Sequence, residues 1–347
     1  MKKILFVAAS AMLLAAGCQK TEVLNQPKGN PITLSAGLNK LTKAAAADGK
    51  TNLETQGFKV WAFAAYTDAL NGVEAGEIYD EMDGIDFTYT QSNGGQCSTD
   101  GVYYWPGKDR DLDFFAFSSS DNQIDPTFDG EGESSLNRKM TIADYVVNHN
   151  EPGDDLMVSK FVRTRQNPAD SAATKGTVNL FFQHALSKTI FNVYTTPITG
   201  TTVTVDTLSV AGVKTKGTLN VMDDTSKKPD INGVNDVKIE WVDSTLTSPQ
   251  MFRVMPNLPL TADKKPIATW LVLPQDIQNL NVEVAYTITT NNVSKVFKHT
   301  FALSNTTVTE WGRNMVTTYN INISPNVIKF TADVETWQNN PEINHGN

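Results

Sequence analysis

Cysteine and histidine are scarce: two and four residues in a chain of 347. Cys18 is accounted for by the N-terminal segment below, which leaves Cys97 as the one other cysteine, so no intrachain disulfide can form and a zinc cluster is not credible. Net positive charge is missing too. Lys and Arg number 29 against 38 Asp and Glu, a formal charge of −9, which argues against nucleic acid as a partner. Apolar runs are short, and there is no G-x-S-x-G, H-E-x-x-H, P-loop or dinucleotide fingerprint. No βαβ alternation and no internal repeat of about 20–50 residues is visible. What remains is a sequence in which Thr, Asn and Val are frequent, a β composition. Its length suits two domains, each large enough to hold a core without staples.

Lys2 and Lys3 precede Ile4–Leu14, 11 largely apolar residues. That run is too short to span a bilayer and typical of a secretory leader. Leu14-Ala15-Ala16-Gly17-Cys18 follows. It resembles the bacterial lipoprotein signal, which implies loss of residues 1–17 and lipidation of Cys18. Acyl chains anchor at about 0.8 kcal/mol per buried CH₂. Residues 18–30 are polar, with Pro27 and Gly29, and read as a tether.

Residues 31–176 read as a first β domain. Ile32, Leu34, Ala36 and Leu38 alternate with Thr33, Ser35 and Gly37, which gives a strand one apolar face. Ala44–Ala47 could begin a helix, but Gly49 stops it, and the stretch predicts an exposed, protease-accessible loop. Val60–Tyr66 is continuously apolar, as in a strand buried on both faces. Further strands are expected at Tyr103–Trp105, ended by Pro106, and at Leu112–Phe117 and Asp155–Val158. The loop Asp121–Asn137 carries Asp125, Asp129, Glu131 and Glu133. Their spacing is not that of an EF-hand, and they read as solvated. Arg163–Gly176 is polar and reads as a linker.

Residues 177–347 read as a second β domain. Val178–Tyr194 has a strand pattern that breaks near His184-Ala185, so it is two strands or one bulged strand. Strands follow at Val203–Val210, Ile239–Val242, Trp270–Leu273, Val282–Ile288 and Val293–Leu303. At the end, Tyr319, Ile321 and Ile323 alternate with polar residues, and Ser324-Pro325-Asn326 makes a turn. Ile328, Phe330, Ala332 and Val334 then alternate with Lys329, Thr331, Asp333 and Glu335, completing a hairpin. A lone hairpin is marginally stable, so this chain or another must cover its apolar face. Seven or so short strands at this spacing indicate a β-sandwich.

No residue set points to catalysis. His184 shares parity with Leu180 and Phe182 and reads as a packed, hydrogen-bonded side chain; His299, between Phe297 and Phe301, reads the same way. His149 and His345 sit in polar context. The aromatics fall at strand positions, as core residues do. The chain is therefore read as a non-enzyme with no cofactor and no metal site.

Several stretches together resemble the fimbrillin-like proteins of Bacteroides and relatives. They are the lipoprotein start, Phe58–Phe63, Tyr103–Pro106 with Leu112–Ala116, Asp155–Val158, Val178–Lys188, Trp270–Gln275 and Trp311–Trp337. The resemblance implies an all-β chain of two transthyretin-like antiparallel β-sandwich domains in tandem. It implies a type V pilus subunit that reaches the outer membrane as a lipoprotein. A trypsin-like protease then cuts behind the first strand, and a strand from another subunit fills the groove left behind. Lys40 and Lys43 are the basic residues nearest that strand. The first arginine is Arg110, so a protease confined to arginine has no site in that loop. Ile328, Phe330, Ala332 and Val334 are the candidate donor residues. The implied partners are other copies or related pilin subunits, the outer membrane and the maturation protease; the implied location is the cell surface and then the fimbrium. The competing reading is a surface lipoprotein that binds glycan or protein without polymerising.

Overall fold

The computed structural model describes residues 31–38, 48–64, 82–90, 96–105, 111–121, 123–129, 139–149, 154–159, 162–165, 177–224, 236–324 and 328–337. The fold is all-β, with one short α-helix among the described residues. In the first sheet, Phe58–Ala64, Ile85–Thr90, Gln96–Ser98, Thr33–Leu38, Thr177–His184, Met157–Ser159 and Asp111–Ser118 are neighbours in that order. Phe58–Ala64 also pairs with Asp111–Ser118, so the sheet closes on itself. Inside lies a core built around Leu34, Val60, Phe114, Val178, Leu180 and Phe182.

The continuous apolar runs have a direct cause. Val60, Ala62, Phe114 and Ala116 face that interior. Trp61, Phe63, Phe115 and Phe117 point the other way, into a second core shared with Met140, Ile142, Leu219, Val221 and Trp241. A strand with a core on each side cannot alternate with polar residues.

A third core lies between two further sheets. One is four-stranded, in the order Lys265–Val272, Ser187–Tyr194, Met315–Ile323 and Ile328–Thr336. It contributes Phe191, Trp270 and Tyr319; the other sheet contributes Val205, Phe252 and Tyr286. The 24-residue strand Thr201–Asp224 runs from the third core into the second. It bends where its register slips between Val210 and Val213, at Gly212. Gly212 has φ +83°, a backbone state that costs glycine little.

Several expectations are refined. The break at His184-Ala185 separates two strands that belong to different sheets. Among the described strands two pairings, Thr33–Leu38 with Thr177–His184 and Ser187–Tyr194 with Met315–Ile323, are parallel and the others antiparallel. Gly49 does not prevent a helix: Asp48–Gln56 is helical. Burial of Leu53 outweighs the roughly 1 kcal/mol propensity cost of one glycine. The helix ends at Gly57, φ +65°, where a Cβ would lie 2.6 Å from the Phe87 carbonyl oxygen. The expected linker begins with a strand, Val162–Arg165, on the edge beside Asp111–Ser118. His299 is exposed on the edge strand Val293–Ala302, not packed inside, although its ring lies 5.8 Å from that of Tyr286.

Candidate assembly site

The leading strand, Thr33–Leu38, is held mostly from one side. All six residues pair in parallel with Thr177–Phe182; on the other side, among the described residues, Ser35 pairs with Gln96, and just ahead of the strand the Ile32 N–H donates to the Tyr103 carbonyl at 2.7 Å. Its alternation does what the sequence predicts. Leu34 (5% exposed) and Ala36 (8%) enter the first core, and Ile32 packs against it. On the outer face the Thr33 and Thr177 hydroxyls are 2.8 Å apart, and the Ser35 hydroxyl donates to Asn179 Oδ1. Cys97 lies on the neighbouring strand Gln96–Ser98, close enough to hydrogen-bond the Ala36 backbone. Burial nevertheless dominates and pushes its thiol up to about 12. Lifting the strand away would leave a groove floored by Val178, Leu180 and Phe182.

Cys18, Lys40 and Lys43 lie outside the described residues. The four candidate donor residues are not brought near the leading strand. Ile328–Thr336 pairs antiparallel with Met315–Ile323, in register from Ile323–Ile328 to Met315–Thr336. It forms the edge of its sheet. Ile328, Phe330 and Ala332 are half-buried against the third core, and Val334 is 46% exposed. Phe330 stacks on Tyr319 at 5.6 Å and on Phe301 at 5.2 Å.

The strand ends on Trp337, which is 3% exposed. Its backbone N–H donates to the Asn314 carbonyl at 2.7 Å. Its indole lies flat on the His184 imidazole, 3.8 Å away and 2° from parallel. His184 is the last residue of the strand that holds the leading strand. Its Nδ1 sits 2.8 Å from Asp155 Oδ2, and that carboxylate also accepts from Asn52 Nδ2 on the helix, at 2.7 Å. Arg313 Nη1 donates to Gln183 Oε1 at 3.1 Å, and burial lowers the pKa of its guanidinium. His184 is thus packed and hydrogen-bonded, as its parity predicts. Its partners were not foreseen, because nothing local in the sequence pairs residues 103 and 29 positions apart.

A cleft lined by Trp241, Trp311, Glu240, Glu310, Lys214 and Arg313 opens next to this cluster, with Arg313 common to both. Both indoles are buried and their N–H groups are spent internally, on the Ala185 carbonyl and the Tyr319 hydroxyl. They do not offer the exposed faces on which a sugar stacks. No group of three or more metal-ligating side chains occurs among the described residues.

A solved structure shares this fold, and a further one is similar to the chain over most of its length. A fimbrial protein from Bacteroides vulgatus is 16% identical with a TM-score of 0.56, over 89% of this chain and 99% of that one. A fimbrial assembly protein from Parabacteroides distasonis is 12% identical with a TM-score of 0.38, over 88% and 98%. Among curated proteins nothing matches. Residues 42–337, most of the chain, match the fimbrillin-like family, and the chain belongs to that family.

Proposed function

We propose that this chain is a pilus subunit that polymerises by strand exchange after proteolysis. It is exported as a lipoprotein acylated on Cys18 and carried to the outer membrane. A trypsin-like protease that accepts lysine cuts after Lys40 or Lys43 and releases the leading strand. The C-terminal strand of another subunit, through Ile328, Phe330, Ala332 and Val334, then fills the groove. The polymer serves adhesion at the cell surface.

One observation carries this reading: the leading strand completes a core, yet among the described residues its continuous ladder is to one neighbour, Thr177–Phe182. Burying a leucine such as Leu34 is worth about 1.5–3 kcal/mol. The vacated groove therefore favours another strand of like pattern, through both side-chain burial and main-chain pairing. The edge position of Ile328–Thr336 supports its role as donor, since it gives up one neighbouring strand to leave. A head-to-tail exchange of this kind extends a fibre and closes no ring.

The test is limited proteolysis of the chain from Gln19 onward, using trace Lys-specific protease. Mass spectrometry reads the new N-terminus, and an unheated denaturing gel reads assembly. Cleavage after Lys40 or Lys43 followed by an SDS-resistant ladder is the expected result. A resistant loop and a persistent monomer would overturn the proposal.

A further inference from the structure

Set side by side, the two strands share a pattern that neither shows alone. Ile32-Thr33-Leu34-Ser35-Ala36-Gly37-Leu38 and Ile328-Lys329-Phe330-Thr331-Ala332-Asp333-Val334 match position by position. Each has a large apolar residue at its first, third and seventh places and alanine at the fifth. Each has a hydroxyl residue at the fourth. Resting on the exchange reading above, we propose that Ile328–Val334 of a second copy docks in the leading strand's own register and direction. It then runs parallel to Thr177–His184, with Ala332 in the place of Ala36.

The alanine decides between the alternatives. Ala36 is buried beside the fully buried Leu180, its partner in the parallel ladder, so the space there is that of a methyl group in a packed core. Reversing the donor would drive Phe330 into that narrow place and leave Ala332 in the space of Leu34. The result is overpacking at one site and a cavity at the other. Slipping by one residue turns the whole apolar set to solvent. Slipping by two residues one way puts Phe330 at the alanine site again; the other way it puts Ala332 at the leucine site. In the matched register every outer position also fits. Thr331 brings a hydroxyl to Asn179 where Ser35 had one. Asp333 takes the place of Gly37, where an added Cβ meets only Phe181 Cδ1 at 3.9 Å. Lys329 faces Thr177 on the open side of the sheet.

Cysteine pairs across two copies read the register directly. Donor chains carry Lys329→Cys or Asp333→Cys, and acceptor chains carry Thr177→Cys or Phe181→Cys. All are built in the chain from Gln19 with Cys97→Ala. These positions lie on outer strand faces, and Phe181 is 43% exposed. Donor and acceptor are mixed, treated with trace Lys-specific protease and cross-linked with dibromobimane. The expected result is a covalent dimer from pairs 329–177 and 333–181, with loss of dimer in pairs 329–181 and 333–177. The opposite pattern would overturn the parallel register while leaving strand donation standing. An SDS-resistant ladder without any of the four cross-links would show that another segment donates. Absence of both ladder and cross-link would overturn the exchange reading itself. As a second arm, Ala332→Phe is tolerated at the half-exposed edge of its own sheet. It keeps the monomer's melting temperature but abolishes the ladder; an undiminished ladder would refute the narrow alanine site.

Discussion

Replacing Trp337 with alanine is expected to destabilise the end of the C-terminal hairpin by about 2 kcal/mol. Truncating a buried tryptophan costs about 3–5 kcal/mol in lost contacts and residual cavity. Trp337 is fully packed on His184 and sits in the second core, so the loss is real. Against it stands one unfavourable feature of the native side chain. Its indole N–H is buried without a hydrogen-bond acceptor among the described residues, a penalty of about 1–3 kcal/mol that the truncation relieves. The difference gives the net figure. Trp337→Phe separates the two contributions: it keeps a ring over His184 and removes the orphan donor, so it should stay within about 1 kcal/mol of the parent. Urea midpoints of the three proteins measure this, and hydrogen exchange of the amides in Ile328–Thr336 locates it. If alanine proves as stable as tryptophan, or phenylalanine as damaging as alanine, the reasoning fails.

Other outcomes follow from the leading strand and from a stacked histidine. Leu34→Ala should weaken docking of the leading strand by about 2–5 kcal/mol and speed ladder formation at a fixed protease dose; an unchanged rate would count against strand release as the gating step. The Cys97 thiol, pushed up to about 12 by burial, stays protonated at mildly alkaline pH. It should resist a disulfide reagent in the intact chain and react once the leading strand is gone; equal reactivity in both forms would refute the covering role. His149 stacks on Phe252 at 3.9 Å, and burial lowers its pKa below 6.5. The stability linked to its neutral form is therefore complete above 6.5 and is lost as pH falls through the lowered value. His149→Phe should flatten the acid limb of a urea-midpoint profile, and an unaltered limb would contradict this.

Alternation alone located the leading strand and both arms of the closing hairpin, because each turns its apolar side chains to one core-facing side. The unbroken runs Val60–Phe63 and Leu112–Phe117 announced burial on two sides, and two separate cores provide it. Pairing partners were a different matter. Thr33–Leu38 and Thr177–His184 lie 144 residues apart, and their parallel register rests on long-range packing. The helix Asp48–Gln56 was hidden for a similar reason. Asp48, Gly49, Thr51, Asn52 and Thr55 are weak helix formers, and buried Leu53 with the bonds from Asn52 to Asp155 and from Ser118 to Gln56 help to hold it. His299 shows the converse error: aromatic neighbours at period two suggest a buried face, yet an edge strand can carry them half in water.

The cluster at His184 ties together both ends of the proposed exchange, and its geometry says which end loosens first. The leading strand pairs with Thr177–Phe182 and stops short of His184. Phe182, Gln183 and His184 are held separately by Ser159, Val158 and Met157. Gln183 and the His184 carbonyl also receive Arg313, and His184 keeps Asp155. Removing the leading strand thus strips the parallel partner from Thr177–Phe182 but leaves the platform under Trp337 intact. Cleavage opens the acceptor without freeing the donor, and release of Ile328–Trp337 becomes a separate barrier. Hydrogen exchange on freshly cleaved, dilute monomer should show lost protection at Val178–Leu180 and retained protection at Phe330–Val334. Trp337→Ala should then shorten the lag before the ladder appears without changing the cleavage rate. Simultaneous loss of protection in both strands would mean that the His184 end does not stand apart, and the two-step order would be wrong.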